Sequence, residues 1–205
     1  MRQRLKVAPT KSALLALKRQ VRFLEQGHDM LERKRELLTR VVHERLAHYR
    51  VLRHEARAAL QDAYRWLAIA QIRMGSLVLQ QLGVGLPPAM AVRILPRSSV
   101  GVEYPSVEAE PLPLKPVALM GTDPSFDDAR AKLAAAVVTL ARLGEAETAL
   151  WRLLTEQRKT QKRVNALKYN VIPMYRERIH GIQSALEEEE HNSLFQMKLL
   201  REAQA

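Results

Sequence analysis

Apolar residues return along the first part of the chain in alternating steps of three and four: Leu14, Leu17, Val21, Leu24, Leu31, Leu38 and Val42. That spacing places one stripe on one face of an α-helix. Positions 28 and 35 would continue the series but hold His28 and Arg35. Beyond Val42 the stripe drifts by one position, through Leu46, Tyr49, Ala56, Leu60, Ala63, Leu67, Ala70, Met74 and Leu77. A helix near 3.6 residues per turn that carries a loosely heptad pattern drifts in this way. Thr10 after Pro9, or Ser12, is placed to cap its start, and Gly83 and Gly85 before Pro87-Pro88 are placed to stop it. The pattern predicts one helix over 10–83, behind an N-terminal extension of 1–9. At a rise of 1.5 Å per residue it is roughly 110 Å long, a length that only a coiled-coil-like partner supports.

A second stripe runs through Leu133, Val137, Leu140, Leu150, Leu154, Val164, Leu167, Val171, Ile179, Ile182 and Leu186. It predicts a helix over 125–203, with Ser125 as its cap and Asp127 and Asp128 favourably placed in its first turn. Pro173 interrupts this stripe without ending it, so a kink is expected there. Between the helices the composition changes. Eight of the ten prolines lie between Pro87 and Pro124, and helices avoid proline in their interiors. The segment 84–124 is therefore a bend. Within it, 91–95 and 100–104 have strand-like composition around Pro96-Arg97-Ser98-Ser99, which predicts a short β-hairpin. The fold expected is mainly α: a long antiparallel two-helix coiled-coil hairpin with a small β-hairpin or irregular domain at the bend. With the bend near residue 104, Gly27 faces Gly181, and two glycines at one level would allow a close backbone approach.

Charge changes this picture by making it lopsided. The net charge is +11, and residues 1–60 carry 15 Lys and Arg against 6 Asp and Glu. The rest of the chain is nearly balanced. Such a stretch expects an acidic partner: nucleic acid, an anionic lipid surface or an acidic protein cavity. No apolar run is long enough to span a membrane, and the basic start Met1-Arg2-Gln3-Arg4 lacks the uninterrupted apolar region of a signal peptide. The chain has no cysteine, which excludes disulfides and thiolate metal sites.

The sequence carries few marks of catalytic or metal chemistry. No glycine-rich phosphate loop is present; Gly83-Val84-Gly85 reads as a helix stop. Glu25 and His28, and Glu188 and His191, have the Glu-x-x-His spacing of di-iron bundles. Only two long helices are available, however, and the two pairs fall about 12 Å apart along the axis. Glu187-Glu188-Glu189-Glu190 spreads around a helix as a solvated collar, or serves as a patch for a basic partner. The basic residues of the first helix, Arg19, Arg22, Arg33 and Lys34 among them, lack the interleaved aromatics of a nucleic-acid binder. No catalytic residue, cofactor or metal is expected.

Three ordered sets of residues resemble a known family. The first is Pro9-Thr10-Lys11, Leu14, Leu17-Lys18, Leu24, Gly27, Leu31, Lys34-Arg35-Glu36 and Leu38. The second is Val100-Gly101-Val102 before Pro105. The third is Thr160, Lys162-Arg163-Val164-Asn165-Ala166-Leu167, Ile172-Pro173, Ile179, Ile182, Leu186-Glu187, Phe195 and Lys198. Together they resemble the D subunits, the central rotor stalks of vacuolar/archaeal-type (V-type/A-type) rotary ATPases and ATP synthases. Lys168 departs from the family, which commonly has an acid there, and His191-Asn192-Ser193 is less charged than usual.

The resemblance implies a non-catalytic subunit that transmits torque between a catalytic head ring and a membrane rotor, coupling ATP hydrolysis or synthesis to proton or sodium transport. It implies four partners: the catalytic and non-catalytic head-ring subunits (A and B), the small F subunit of the stalk, and the funnel-shaped subunit that joins the membrane rotor ring. It implies a peripheral location on the cytoplasmic face of the membrane, with neither nucleic acid nor direct membrane insertion. Arg19, Arg22, Arg33, Lys34 and Arg163 are the residues expected to contact the head ring, with Gly27, Pro173 and Gly181 in structural roles. The alternative from another class is a basic helical-hairpin scaffold for nucleic acid or an anionic membrane surface.

Overall fold

The computed structural model describes residues 8–117 and 121–202. Most of the expected N-terminal extension, part of the bend and the expected last residue of the second helix lie outside the described residues. The order of elements is α1 (Lys11–Met74), α2 (Ser76–Val84), β1 (Met90–Ser99), β2 (Val102–Pro111), α3 (Pro124–Ala166), a π turn (Leu167–Val171) and α4 (Ile172–Glu202). The chain is a helical hairpin with a small two-stranded antiparallel sheet. It divides into two compact units, one of residues 1–36 with 158–205 and one of residues 37–157.

In the first unit, the expected stripe of α1 is the buried one: Leu17 and Val21 are in the core, and Leu14, Leu24 and Leu31 are half-buried. Thr10 caps the helix, its hydroxyl accepting from the Ala13 N–H at 3.2 Å. The opposing segment contributes Thr160, Val164, Ile172 and Ile182. Polar cross-links fix the antiparallel direction. Lys11 pairs with Glu190 at 2.7 Å, Glu25 with Arg176 at 2.5 Å, and Arg35 donates to Gln161 at 3.2 Å. The Glu25–Arg176 pair sets Gly27 level with about residue 174, seven residues or about 10 Å short of Gly181. A Cβ at either glycine would meet nothing within 4 Å. The expected close approach of two facing glycines is therefore absent.

Pro173 lies just beyond the π turn, and the Ile172 N–H reaches back to the Leu167 carbonyl. Proline offers no N–H, and its ring crowds the carbonyl four residues earlier. A wide turn there frees that carbonyl while the helix continues.

In the second unit the seam of α1 narrows to methyl groups: Ala56, Ala63 and Ala70 are fully buried at seven-residue spacing. Ala129, Ala136 and Ala149 are the fully buried alanines of α3, while Val137 and Leu140, two of the expected seam residues, are 42% and 37% exposed. Small residues fill the centre line, so the larger neighbours sit at its margin. Asp62 and Lys132, 2.8 Å apart, flank this seam.

The single helix expected over 10–83 is broken at Gly75, whose φ of 84° and ψ of 154° lie outside helical space and suit only glycine. The cap of α3 is Asp123 rather than Ser125. Its carboxylate accepts from the Ser125 N–H at 3.0 Å and from the Ser125 hydroxyl, and Pro124 takes the first helical position.

The hairpin is longer than expected, and its turn lies at Val100-Gly101 rather than 96–99. Both central residues have positive φ, 52° and 73°, as a two-residue turn matched to strand twist requires. Pro96 and Pro105 sit directly opposite each other inside the ladder. The Val107 N–H points away from β1, to Glu145, so Ile94 and Val107 form a non-hydrogen-bonded pair. Pro96 and Pro105, two residues on, belong to the same class, and the ladder needs no N–H from either.

Leu153 is 0% exposed in the cluster that joins α1, α3 and the hairpin. Leu153→Ala should destabilise the chain by about 2–5 kcal/mol in denaturant unfolding. Asp123 has its carboxyl held below the usual carboxylate range by the Ser125 hydroxyl, then the Ser125 N–H, with Arg73 adding to both. A depressed folded value contributes stability above the unfolded value and loses it as pH falls through the folded one. Asp123→Asn should therefore flatten the acid limb of the stability curve, below about pH 4, and leave its slope at neutral pH unchanged.

Candidate protein-interaction surface

Three regions of the described residues carry unusual chemistry. The first is the basic face of α1. Arg19, Arg22 and Arg33 are exposed, and so is Arg163 near the end of α3; Lys34 is half-buried. These five cations are spread along the helices rather than gathered into a compact site. A polar layer interrupts the seam beside them. Arg35 binds Glu32 at 2.7 Å as well as Gln161, and His28 sits two turns earlier with its Nδ1 3.3 Å from Asp29. His28 and Arg35 thus occupy the seam positions that the stripe left without apolar residues.

An open groove of about 440 Å³ lies next to this layer, lined by Glu25, His28, Asp29, Lys168, Ile172 and Arg176. The Lys168 ammonium stands 5.5 Å from the centre of the Tyr169 ring. A cation at 168 therefore faces a groove that already holds two carboxylates, Glu25 and Asp29. Among the described residues, no three His, Asp or Glu side chains come together to hold a metal ion. Of the four acids 187–190, all exposed, Glu190 is held by Lys11, which lowers its carboxyl from the ordinary value. The Lys11 ammonium is raised by the same contact.

The second region is α2 and its approaches. No charged residue lies between Arg73 and Arg93, and α2 buries none of its nine residues. Leu77 is 68% exposed and Val84 91%. No helix among the described residues is long and apolar enough to cross a membrane.

The third region is the hairpin, clamped to the helices by four polar contacts. Arg45 of α1 donates to the Tyr104 hydroxyl at 3.0 Å and lies 5.5 Å from its ring centre. Arg152 of α3 donates to the Glu103 carbonyl at 2.8 Å. Glu145 accepts from the Val107 N–H at 2.9 Å and from the Ser106 hydroxyl at 3.3 Å. Tyr104 is 3% exposed and Val102 8%, so at the tip this face of β2 is the one packed on the helices. Sequence reasoning missed Arg45, Glu145 and Arg152 because their partners are backbone groups and a strand 38 to 59 residues away. The alternation Val102, Tyr104, Ser106 was the available signal.

The family profile that describes the D subunit of ATP synthase matches residues 13–202. The chain belongs to the family of ATP synthase D subunits. It is 36% identical to the V-type ATP synthase D subunit of Thermotoga neapolitana over 197 residues, which is 96% of this chain and 97% of that protein. It is 33% identical to the A-type ATP synthase D subunit of Pyrococcus furiosus over 201 residues, covering 96% and 94%. A similar match joins it to the A-type protein of Thermococcus sibiricus, 32% identical over 205 residues, covering 96% and 94%. The likeness takes in α1, the hairpin and α3–α4 together. This D subunit is thus related to them along nearly its whole length, the clamped hairpin included.

The clamp makes a direct prediction. Glu145→Ala leaves the Val107 N–H without its acceptor, a loss of about 1.5–3 kcal/mol for a hydrogen bond to a charged group. Hydrogen exchange of residues 102–111 should accelerate in this variant while exchange in α1 around Ala63 stays as in the wild type.

Proposed function

We propose that this chain is the central rotor stalk of a vacuolar- or archaeal-type ATPase or ATP synthase. It carries torque between the catalytic head ring and the membrane rotor and so couples ATP hydrolysis or synthesis to ion transport. The observation that supports the reading is the pairing of α1 with an antiparallel helical segment in each unit, in a chain that belongs to the D-subunit family. Three equivalent catalytic sites around an axle must differ at any instant. Two helices have no threefold symmetry, so they touch each site differently, and turning them shifts each site's conformational populations in succession.

In this role the chain performs no catalysis. The head-ring A and B subunits surround the paired termini, the small F subunit binds farther along, and a funnel-shaped subunit seats the far end on the membrane rotor ring. The uncharged, unburied α2 suits that last contact. The whole is peripheral, on the cytoplasmic face of the membrane. Arg19, Arg22, Arg33, Lys34 and Arg163 meet acidic or carbonyl-rich loops of the ring. Exposed cations make adaptable contacts worth about 0–1 kcal/mol each, which do not lock a turning part in one orientation.

The test is reconstitution with the head ring and membrane rotor. Combined Arg19→Ala, Arg22→Ala, Arg33→Ala and Lys34→Ala should lower ion pumping per ATP hydrolysed several-fold while the complex still assembles. Unchanged coupling in the assembled variant would refute the assignment of these residues. Failure of the wild-type chain to join the complex would refute the rotor reading itself.

A further inference from the structure

In the middle of α1, His43, Arg50, Arg57 and Tyr64 recur every seven residues. Each follows a seam residue by one position: Val42, Tyr49, Ala56 and Ala63. The row therefore keeps one fixed relation to the seam along its length. Arg53 and His54 stand three and four residues after Arg50, and four and three before Arg57, so they fill the space between those two. All six residues are exposed. The acids of the same stretch lie elsewhere: Glu44, Glu55 and Asp62 stand three or four residues from none of Arg50, Arg53 and Arg57. Among the described residues, none of these three guanidiniums has a hydrogen bond or an ion pair. Arg50 with Arg53, and Arg53 with Arg57, are like-charge neighbours, which destabilises a helix. The chain's own folding gains nothing from this arrangement.

We infer that the row is a docking surface for a carboxylate-bearing face of another subunit of the rotary complex; the inference rests on the reading under Proposed function. Helical rise sets the spacing that the partner matches. Arg50, Arg53 and Arg57 are about 4.5 and 6 Å apart along the axis, so the partner presents Asp or Glu side chains at intervals of about 5 Å along one line. The choice of cation fits a carboxylate. No lysine lies between Lys34 and Lys115. A guanidinium fork holds a carboxylate by two parallel N–H···O bonds, which an ammonium cannot do. Tyr64, 62% exposed, ends the row, and Tyr and Arg are the residue types that most often anchor protein interfaces. Width disfavours a membrane or a nucleic-acid duplex. The row occupies one flank of the exposed surface of α1, and Glu44 and Glu55 lie toward the other. A broad anionic surface that reached both flanks would meet those acids too. A single nucleic-acid strand would find one stacking aromatic, Tyr64, in the whole row. The row is also separate from the five cations assigned above to the head ring.

Arg53→Lys allows a direct test with a carbodiimide, which joins an amine to a carboxylate in contact with it. In the assembled complex, mass spectrometry should find residue 53 joined to an Asp or Glu of another subunit. The triple variant Arg50→Gln, Arg53→Gln, Arg57→Gln should weaken retention in the complex by about tenfold and make it less sensitive to salt. The isolated triple variant should melt at or above the wild-type temperature, because its like-charge neighbours are gone; that separates lost docking from lost folding. Wild-type retention of the triple variant, or coupling of residue 53 only within its own chain, overturns the inference and leaves the rotor reading intact. So does Arg53-dependent binding of duplex DNA or phosphatidylglycerol vesicles at physiological salt with retention in the complex unchanged. If the wild-type chain does not join the complex at all, the rotor reading fails and the inference fails with it.

Discussion

The placement of the hairpin depends on one apolar contact. Val102, at the start of β2, packs with Leu38 and Val42 of α1 and with Leu150 and Leu153 of α3. Without it, a two-stranded ribbon is marginal in water. The backbone accepts strain to reach this position. Val100 has φ of 52°, in the left-handed region that a β-branched residue enters at a cost of about 1–2 kcal/mol. Val100 is nevertheless half-buried against the same cluster. Burial of its side chain offsets the strain, whereas asparagine, the residue such turns prefer, would lose that contact.

Once the tip is fixed, the polar clamp follows from reach. Arg45 and Arg152 approach the hairpin from two different helices, and Glu145 meets the N–H that the ladder leaves pointing outward. Farther from the tip the half-buried residues are Val107, Ala109 and Met90, on the other face of the ribbon, and Met90 lines a groove with Leu133, Ala134 and Val137 of α3. Which face of the ribbon is covered thus changes along its length.

Two kinds of surface coexist in this D subunit. Residues 1–60 hold most of the net positive charge, 15 Lys and Arg against 6 Asp and Glu, on long side chains whose contacts, where exposed, are individually weak. The hairpin and α2 present apolar groups that gain free energy by being covered, roughly 25 cal/mol for each Å². The rotor role proposed above would use both: contacts that slide in the head ring, and contacts that hold subunits turning with it.

Much of the helical architecture was legible in the sequence, because a repeat of three and four leaves its mark on every turn. The stripe through Leu17, Val21, Leu38, Val42, Ala56, Ala63 and Ala70 is the buried one. The family was legible for a related reason: its marks lie mostly on those same helices, in order. Features that depend on distant partners were not. Asp123 displaced Ser125 as the cap because a proline at the first helical position suits it. Gly75 breaks the first helix at a point where the apolar pattern runs on. The facing glycines failed because the register is set by cross-pairs such as Glu25 with Arg176, 151 residues apart, which no single stretch of sequence contains. The turn fell at Val100-Gly101 because prolines that look like turn residues can sit opposite each other where a ladder needs no donor. Periodicity is local and survives in one dimension, so the sequence determined the helices, their buried stripes and the basic start of the chain. How the tip of the hairpin is anchored is set by contacts across as many as 59 residues, and only the tertiary structure decided it.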